Sequence, residues 1–208
     1  MQGNRSRVAA NGGSCIFSDS KGMNGEVQMV YRKATEKDLA EIIDMKNRVK
    51  EQIIREGLPI WQHGYPLDSM IQEDIQRGEG RVMEAEEDGE IVAYAVFHPS
   101  LEEYPAGTFG SDRMQSFGRL MVKTAYAGRH IGQTFVREMI REARQLEVDG
   151  MGILADACNS RALHLYTKFG FRKEGSAQFP YAYLDIYALY FHHVPCGKQE
   201  TEGTEAHE

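Results

Sequence analysis

Residues 120–147 read LMVKTAYAGRHIGQTFVREMIREARQLE, and this stretch decides the fold. It predicts the end of a strand, a glycine-containing turn over residues 127–134, and then an amphipathic helix. A helix that begins in such a turn presents backbone N–H groups and the positive end of its dipole, which suit a phosphate or a diphosphate. Apolar side chains recur at helical spacing along one face: Ile131, Phe135, Met139, Ile140, Ala143 and Leu146.

The composition is that of an ordinary globular chain. Its 208 residues are 41% hydrophobic and 26% charged, and the net charge is -7. Such a chain is long enough for one domain with tails. Because the charge is mildly acidic, bulk electrostatics do not favour binding to nucleic acid, and a small cationic amine is a better partner than an anion.

The cysteine pattern and the hydropathy exclude several other classes. Cys15, Cys158 and Cys196 form no CxxC pair, so neither a disulfide framework nor a zinc site is predicted, and no histidine spacing suggests a metal. No stretch reaches the roughly 20 apolar residues of a membrane helix, so no membrane partner is expected. No apolar run of signal-peptide length follows Arg5 and Arg7. We therefore expect a cytoplasmic protein.

The chain divides into an ordered domain and two tails. Residues 1–28 are rich in Gly, Ser, Asn and Gln, and residues 195–208 are polar; both segments are predicted to be disordered. Residues 29–194 form the single predicted domain. Their pattern predicts the order β-α-α-β-β-β-α-β-α-β-β, which is an α/β (α+β) fold with a mixed sheet covered by helices on both sides.

Local signals mark the element bounds. Thr35 followed by Asp38 predicts a helix start, and Asp68 or Ser69 is expected to cap a second helix. Asp88-Gly89 predicts a hairpin between the strands at 81–86 and 91–97. The Gly-Met-Gly run at 150–152 is expected to break the chain before a strand at 153–157.

A second block, residues 159–171, reads NSRALHLYTKFGF. Asn159 is expected to cap a helix that Gly170 ends. Together with residues 127–134, this block resembles the GCN5-related N-acetyltransferase (GNAT) superfamily. That family has an (R/Q)-x-x-G-x-(G/A) turn after its fourth strand and commonly an N-x-x-A-x-x-L-Y-x-K-x-G-F block after its fifth. The second block matches without a gap, and the resemblance covers residues 29 to about 191.

The first motif departs from the family pattern at two positions. Ala127 stands where the family has Arg or Gln, and His130 stands where it has its central Gly, while Gly132 matches the final small residue. The backbone amides of residues 129–134 are still expected to hold a diphosphate, since that task needs main chain rather than a given side chain. Arg129 is expected to supply the missing charge.

The resemblance implies a GNAT-type acyl-CoA N-acyltransferase fold with acetyl-CoA as acyl donor and no metal. It implies that the fourth and fifth strands of the domain splay apart, with the fourth strand's edge along the pantetheine arm. Asn159 would bond that arm, and Tyr166 would act near the sulfur as general acid. The implied cofactor-binding residues are Met121, Val122, Arg129, His130, Ile131, Gly132, Gln133, Thr134, Asn159, Ala162 and Tyr166.

Each of these assignments has a plainer alternative. Tyr166 could be an aromatic that packs on the core, and Asn159 could be only a helix cap. The implied acceptor pocket draws on segments that wall it in similar folds, where ordinary core packing is the alternative. Its residues are Trp61, Tyr65, Phe117 and Tyr181.

The general base stays open at this point. The candidates are Glu102, Glu103, His98 and Asp156, and for the two glutamates a solvated loop is favoured. Cys158 is expected to be a small buried residue rather than a nucleophile.

The sequence therefore predicts an N-acetyltransferase that moves an acetyl group from acetyl-CoA to a primary amine of a small acceptor by direct attack. The alternative is a non-catalytic acyl-CoA-binding or regulatory module on the same fold. A doubly wound nucleotide-binding protein is disfavoured, because its glycine fingerprint follows the first strand. The acceptor's identity is undetermined, and a homodimer is an open alternative.

Overall fold

A computed structural model describes residues 15–16 (backbone only), 28–98, 101, 104–179 and 182–192. The strands are β1 (Cys15–Ile16), β2 (Met29–Lys33), β3 (Gly80–Ala85), β4 (Ile91–His98), β5 (Met114–Val122), β6 (Gly150–Ala155), β7 (Arg172–Gln178) and β8 (Tyr183–Tyr190). The helices are α1 (Leu39–Arg55), α2 (Asp68–Gln76), α3 (Ile131–Arg144) and α4 (Ser160–Lys168), with short 3-10 turns at Glu36–Asp38 and Thr124–Tyr126.

From β2 onward, the order of elements is the predicted one. The two-residue strand β1 lies inside the 1–28 segment that was predicted to be disordered, and it pairs antiparallel with β2. The rest of that segment, and the predicted tail at 195–208, lie outside the described residues.

The chain forms two compact units. The first contains Met1–His98 and Phe117–Arg141, and the second contains Pro99–Ser116 and Glu142–Glu208. In the first unit the strand order is β1-β2-β3-β4-β5. In the second unit residues 114–116 of β5 pair in parallel with residues 150–152 of β6, and β6, β8 and β7 continue antiparallel. Parallel and antiparallel pairs together give the predicted mixed sheet.

In the first unit, helices cover both faces of the sheet. Buried apolar residues of α1 and α2 cluster with Val82 of β3. Val82 lies opposite Arg32 of β2, so alternation turns Tyr31 to the other face. There the ring of Tyr31 meets Phe135 of α3 edge-on at 5.5 Å between centroids. The predicted two-sided covering of the sheet is confirmed for this unit.

The helix-start predictions had mixed outcomes. The N–H and hydroxyl groups of Thr35 both donate to Asp38, at 2.7 and 2.9 Å, so the first signal is confirmed. The predicted cap at Asp68 or Ser69 is wrong, because the residue before α2 is Leu67 and it makes no side-chain cap. Asp68 is instead the first residue of α2 and pairs with the buried ammonium of Lys46 on α1. A buried charge needs this partner more than the helix end needs a cap.

The predicted chain break at residues 150–152 is wrong, since these residues begin β6. A Cβ on Gly150 would lie 2.5 Å from the carbonyl oxygen of Leu189, and one on Gly152 would lie 2.6 Å from the ring of Phe109. The glycines are therefore present for close packing inside a strand rather than for a turn.

The hairpin prediction is confirmed. β3 and β4 pair antiparallel, and Gly89 in their connection has φ +74°. No helix in the described part of the chain has the length and apolar character needed to span a bilayer.

We predict that Gly150→Ala lowers the free energy of unfolding by about 1–3 kcal/mol, because the added methyl group meets a backbone carbonyl that cannot rotate away. Urea denaturation measures the change. Gly175→Ala in β7 is the matched control, since a Cβ there meets no atom within 4 Å. Equal midpoints for the two variants would contradict this account of β6.

Candidate functional site

The turn before α3 contains two residues in the left-handed region. Gly128 has φ +78° and His130 has φ +60°. The second of these is the position where the family pattern has its central glycine. A residue with a Cβ holds this conformation at a cost of about 1 kcal/mol of strain.

The backbone amides of this turn are partly committed within the chain. The Thr134 N–H donates to the His130 carbonyl at 3.0 Å, and the Arg129 N–H donates to the Tyr126 carbonyl at 3.3 Å. The amides of residues 131–133 stand ahead of the first intrahelical bond, and the first turn of this described helix carries no acidic side chain. Binding of a diphosphate by the backbone cradle of residues 129–134, at the positive end of the α3 dipole, stays a prediction.

A polar cluster anchors the turn to the rest of the first unit. The Tyr126 hydroxyl donates to Glu90 at 2.6 Å, and the Lys123 ammonium donates to Glu90 at 2.9 Å and to Glu41 at 2.7 Å. These hydrogen bonds, from Tyr126 first and then Lys123, hold the pKa of Glu90 below its usual value. The exposed Arg129 guanidinium stacks over the Tyr126 ring at 5.2 Å. Positive charge is therefore held beside the cradle.

The predicted helix face of α3 is shorter than expected. The helix ends at Arg144, and Leu146 beyond it is 51% exposed. On β5, Met121 is buried in the core cluster and Val122 is half-buried. Their backbone contact with a pantetheine arm stays a prediction, as does the splaying of β5 from β6.

In the second unit, the predicted cap of α4 is confirmed. The Asn159 side-chain oxygen accepts from the Ala162 N–H at 3.2 Å, and Gly170 ends the helix with φ +88°. Tyr166 is buried and its ring lies 6.0 Å from that of Phe171. Burial raises the pKa of Tyr166, so its phenol is protonated at neutral pH. Asn159 therefore caps α4 and Tyr166 packs in the core. The predicted contacts of both residues with the pantetheine arm and the sulfur stay predictions.

Cys158 differs from its prediction. It is exposed rather than buried, because it lies in the loop before α4. Partial desolvation and then the neighbouring Asp156 carboxylate raise the pKa of its thiol to about 11. The thiol is therefore protonated near neutral pH, which disfavours a nucleophilic role.

The predicted acceptor-pocket residues have different locations. Trp61 and Tyr65 lie in the loop between α1 and α2, with their rings edge-on at 6.4 Å, and Trp61 packs partly buried against the core of the first unit. Phe117 is buried in β5. Tyr181, like the base candidates Glu102 and Glu103, lies outside the described residues.

The first unit contains a buried charged network that was not predicted from the sequence. Arg119 of β5 donates from Nε to Asp74 Oδ2 at 3.0 Å and from Nη2 to Asp74 Oδ1 at 2.6 Å. The Tyr94 hydroxyl also donates to Asp74, at 2.8 Å. A signal was present: Arg119 stands between Phe117 and Met121 in the inward phase of β5, and Asp74 lies on the apolar face of α2. Opposite charges at two inward positions indicate a buried pair.

His98 extends this network. Its Nε2 lies 3.0 Å from Arg119 Nη2, and its Nδ1 lies 2.8 Å from Glu79 Oε2. Because a guanidinium only donates, Nε2 must accept and the Nδ1–H group must donate to Glu79. In this arrangement the Nε2 lone pair is engaged by Arg119. Asp74, Glu79 and His98 offer donor atoms within 4.8 Å of one another, but Arg119 already supplies the positive charge there.

A mixed sheet that leads through a left-handed turn into a helix start without acidic residues is an α/β architecture, and such a helix start suits an anion. The family model described as "Acetyltransferase (GNAT) family" matches residues 47–171, more than half of the chain. The chain belongs to this family and is an acyltransferase.

Solved structures share the fold of this chain. The chain is similar to a GNAT-family acetyltransferase from Streptococcus agalactiae, with 22% identity and a TM-score of 0.69 over 80% of this chain and 97% of that one. It is also similar to a GNAT-family acetyltransferase from Listeria monocytogenes, with 18% identity and a TM-score of 0.63 over 82% and 99%.

A third similar structure is the ribosomal-protein-S18-alanine N-acetyltransferase from Escherichia coli. Its identity is 15% and its TM-score 0.55, over 77% of this chain and 91% of that one. At such identities the likenesses show the fold alone. A search of curated proteins found no match.

We predict that His130→Gly raises the free energy of unfolding by up to about 1 kcal/mol, because glycine adopts φ +60° without strain. His130→Ala is the control: it removes the imidazole but keeps the Cβ in the left-handed conformation. Urea denaturation compares the two. A glycine variant less stable than the alanine variant would show that the turn is unstrained.

Proposed function

We propose that this protein transfers an acetyl group from acetyl-CoA to a primary amine of a small acceptor by direct attack. Family membership gives acetyl transfer; the donor and the acceptor are the proposal. The observation that carries it is the left-handed turn at Gly128 and His130, which opens α3 without an acidic residue and beside Arg129. Backbone amides, helix dipole and guanidinium together suit the diphosphate of a coenzyme A thioester.

The donor residues have distinct roles in this proposal. Backbone amides of the 129–134 segment hold the diphosphate, and the Arg129 side chain adds charge. Thr134 contributes through its hydroxyl, because its amide already bonds His130. The backbone of Met121 and Val122 accompanies the pantetheine arm. Asn159 donates to that arm through its amide nitrogen, since its oxygen caps α4, and Ala162 lies beside it.

Tyr166 assists the departure of the thiol. The amine nitrogen bonds to the thioester carbonyl carbon and the carbon–sulfur bond breaks. The proton that the nitrogen gives up balances the one that the departing thiolate takes up, so the products are an amide and free CoA thiol. A free thiol has a pKa of about 8.5, and burial holds the pKa of the Tyr166 phenol above its usual value. Complete proton transfer from Tyr166 is therefore uphill, and its main contribution is a hydrogen bond to the developing thiolate.

In this proposal the acceptor lies against the loop of Trp61 and Tyr65, and the buried Phe117 belongs to the same unit. Aromatic faces attract an ammonium group and do not exclude the neutral amine that must attack. The net charge of -7 also favours a cationic acceptor over an anionic one.

One observation favours the second candidate, a non-catalytic acyl-CoA-binding module. The Nε2 lone pair of His98 is engaged by Arg119, so this candidate base does not stand ready in the described arrangement. Asp156 is also engaged, as an acceptor from the Cys158 N–H at 2.9 Å. Turnover separates the two candidates.

We predict that the protein binds acetyl-CoA in isothermal titration and that Arg129→Ala weakens binding about 5- to 30-fold, since one charge-assisted contact to a diphosphate is lost. Arg137→Ala is the control, because it removes the same charge from a later turn of α3. Absence of heat at high-micromolar acetyl-CoA would refute the donor assignment.

We predict that Tyr166→Phe lowers kcat at least about 100-fold while the Kd for acetyl-CoA stays unchanged, because the hydrogen bond forms only as the sulfur gains charge. CoA release with a panel of small primary amines measures kcat. Tyr183→Phe, which alters a 63% exposed tyrosine of β8, is the control. Equal rates for the Tyr166 variant and wild type would remove this residue from the mechanism, and binding without release for every amine would favour the non-catalytic module.

A further inference from the structure

Arg119 adopts a conformation that is foreign to a strand interior. It lies in β5 with φ +51°, while its guanidinium is buried. A left-handed residue inside a strand changes the direction of the backbone, as in a bulge whose first residue is normally glycine. We call this position, Arg119 with its positive φ, the kink of β5. A residue with a Cβ holds that conformation only when its surroundings over-determine it.

The neighbouring residue shows that the arginine side chain is what the site requires. Gly118 directly precedes Arg119 and does not take a positive φ itself. If the kink alone were needed, a glycine in the kinked position would provide it without strain. Instead the strained position carries the longest side chain of the segment, and that side chain makes the buried bonds.

The guanidinium connects three elements of the first unit. It bonds both carboxylate oxygens of Asp74 on α2, at 3.0 and 2.6 Å. It meets His98 at the end of β4 at 3.0 Å, and the hydroxyl of Tyr65 in the α1–α2 loop at 3.5 Å. Asp74 is 4% exposed and is further held by Tyr94. A planar fork with fixed donors transmits these constraints to the backbone that carries it.

We propose that Arg119 is a positioning residue, which through its pair with Asp74 locks the kink of β5. The kink lies two residues before Met121, so it orients the strand edge that in the proposed function accompanies the pantetheine arm and its acetyl thioester. The proposal rests on the acetyl-CoA function proposed above. The same guanidinium holds Tyr65, so the acceptor loop and the kinked strand are set by one side chain.

The kink and the diphosphate turn have separate supports. Arg119 and Asp74 hold the kink, whereas Glu90, Lys123 and Tyr126 hold the turn. Loss of the Arg119 fork therefore alters the orientation of the acetyl group and leaves the affinity for acetyl-CoA nearly intact. A purely structural ion pair would lower stability without this selective effect.

The test uses acetyl-CoA labelled with ¹³C at the acetyl carbonyl, bound to the full-length protein, so no acceptor need be known. In the wild type we expect the bound carbonyl resonance to be displaced from that of free acetyl-CoA. Arg119→Lys, which keeps the charge but loses the fork, should move the resonance part of the way back, and Asp74→Asn should do the same. Arg119→Gly, which relieves the backbone but loses the side chain, should bring it close to the free value.

Two further measurements accompany the spectra. The Kd for acetyl-CoA should change less than about threefold in each variant, while kcat with an amine that supports turnover should fall about 100-fold, as small misplacements of reacting groups do. Lys46→Met is the control, since it removes another buried cation paired with a carboxylate, between α1 and α2. Its resonance should equal that of the wild type. If Arg119→Gly does not fold, the Lys and Asn variants carry the test.

The outcomes separate this proposal from the function on which it rests. A wild type that does not bind acetyl-CoA overturns both. Binding with a wild-type resonance equal to that of free acetyl-CoA, or with a resonance unchanged in Arg119→Lys and Asp74→Asn, overturns the positioning role alone. An equal displacement in Lys46→Met would also overturn it, because the effect would then follow from any loss of a buried ion pair.

Discussion

The ion pair between Arg119 and Asp74 places full charges in the buried part of the first unit. Burial of charge is costly unless the pair is close and its remaining hydrogen-bonding capacity is used. Here Tyr94 and His98 complete the bonding. Because neither charge can be displaced without exposing the other, the pair fixes the position of β5 against α2. The turn that opens α3 follows directly from that strand and is held by a second set of polar contacts.

Two polar systems of unequal burial thus support one strand. The Arg119 system is buried and holds the middle of β5, while Glu90, Lys123 and Tyr126 hold its end nearer to solvent. Exposed pairs contribute little to stability, typically about 0–1 kcal/mol. The second system therefore matters more for the geometry of the turn than for the stability of the fold. The chain has the fold of the acetyltransferase family. In this chain Arg119 and Asp74 hold β5, the fourth strand of the domain.

Much of the candidate site could be read from local patterns. The helix start after residues 127–130, the cap at Asn159 and the terminating glycine at Gly170 were all predicted, since each depends on residues within one helical turn. The predictions that were wrong concern positions whose structure is decided by residues far away in the sequence. Gly150 belongs to a strand because the carbonyl of Leu189 passes close to it, and Asp68 pairs with Lys46 instead of capping a helix. Exposure of Cys158 likewise followed from its loop rather than from its residue type.

The sequence by itself determined the order of elements, the glycine turn, the capped α4 and the family resemblance, because spacing and propensity act over a few neighbouring residues. Only the tertiary structure decided that Arg119 and Asp74 meet, 45 positions apart, and that the arginine takes a left-handed backbone to do so. It also decided that the lone pair of His98 is engaged by Arg119. Such contacts form between buried polar groups that are far apart in the chain and come together only when the fold excludes water. Patterns over a few neighbouring residues therefore do not predict which groups will pair.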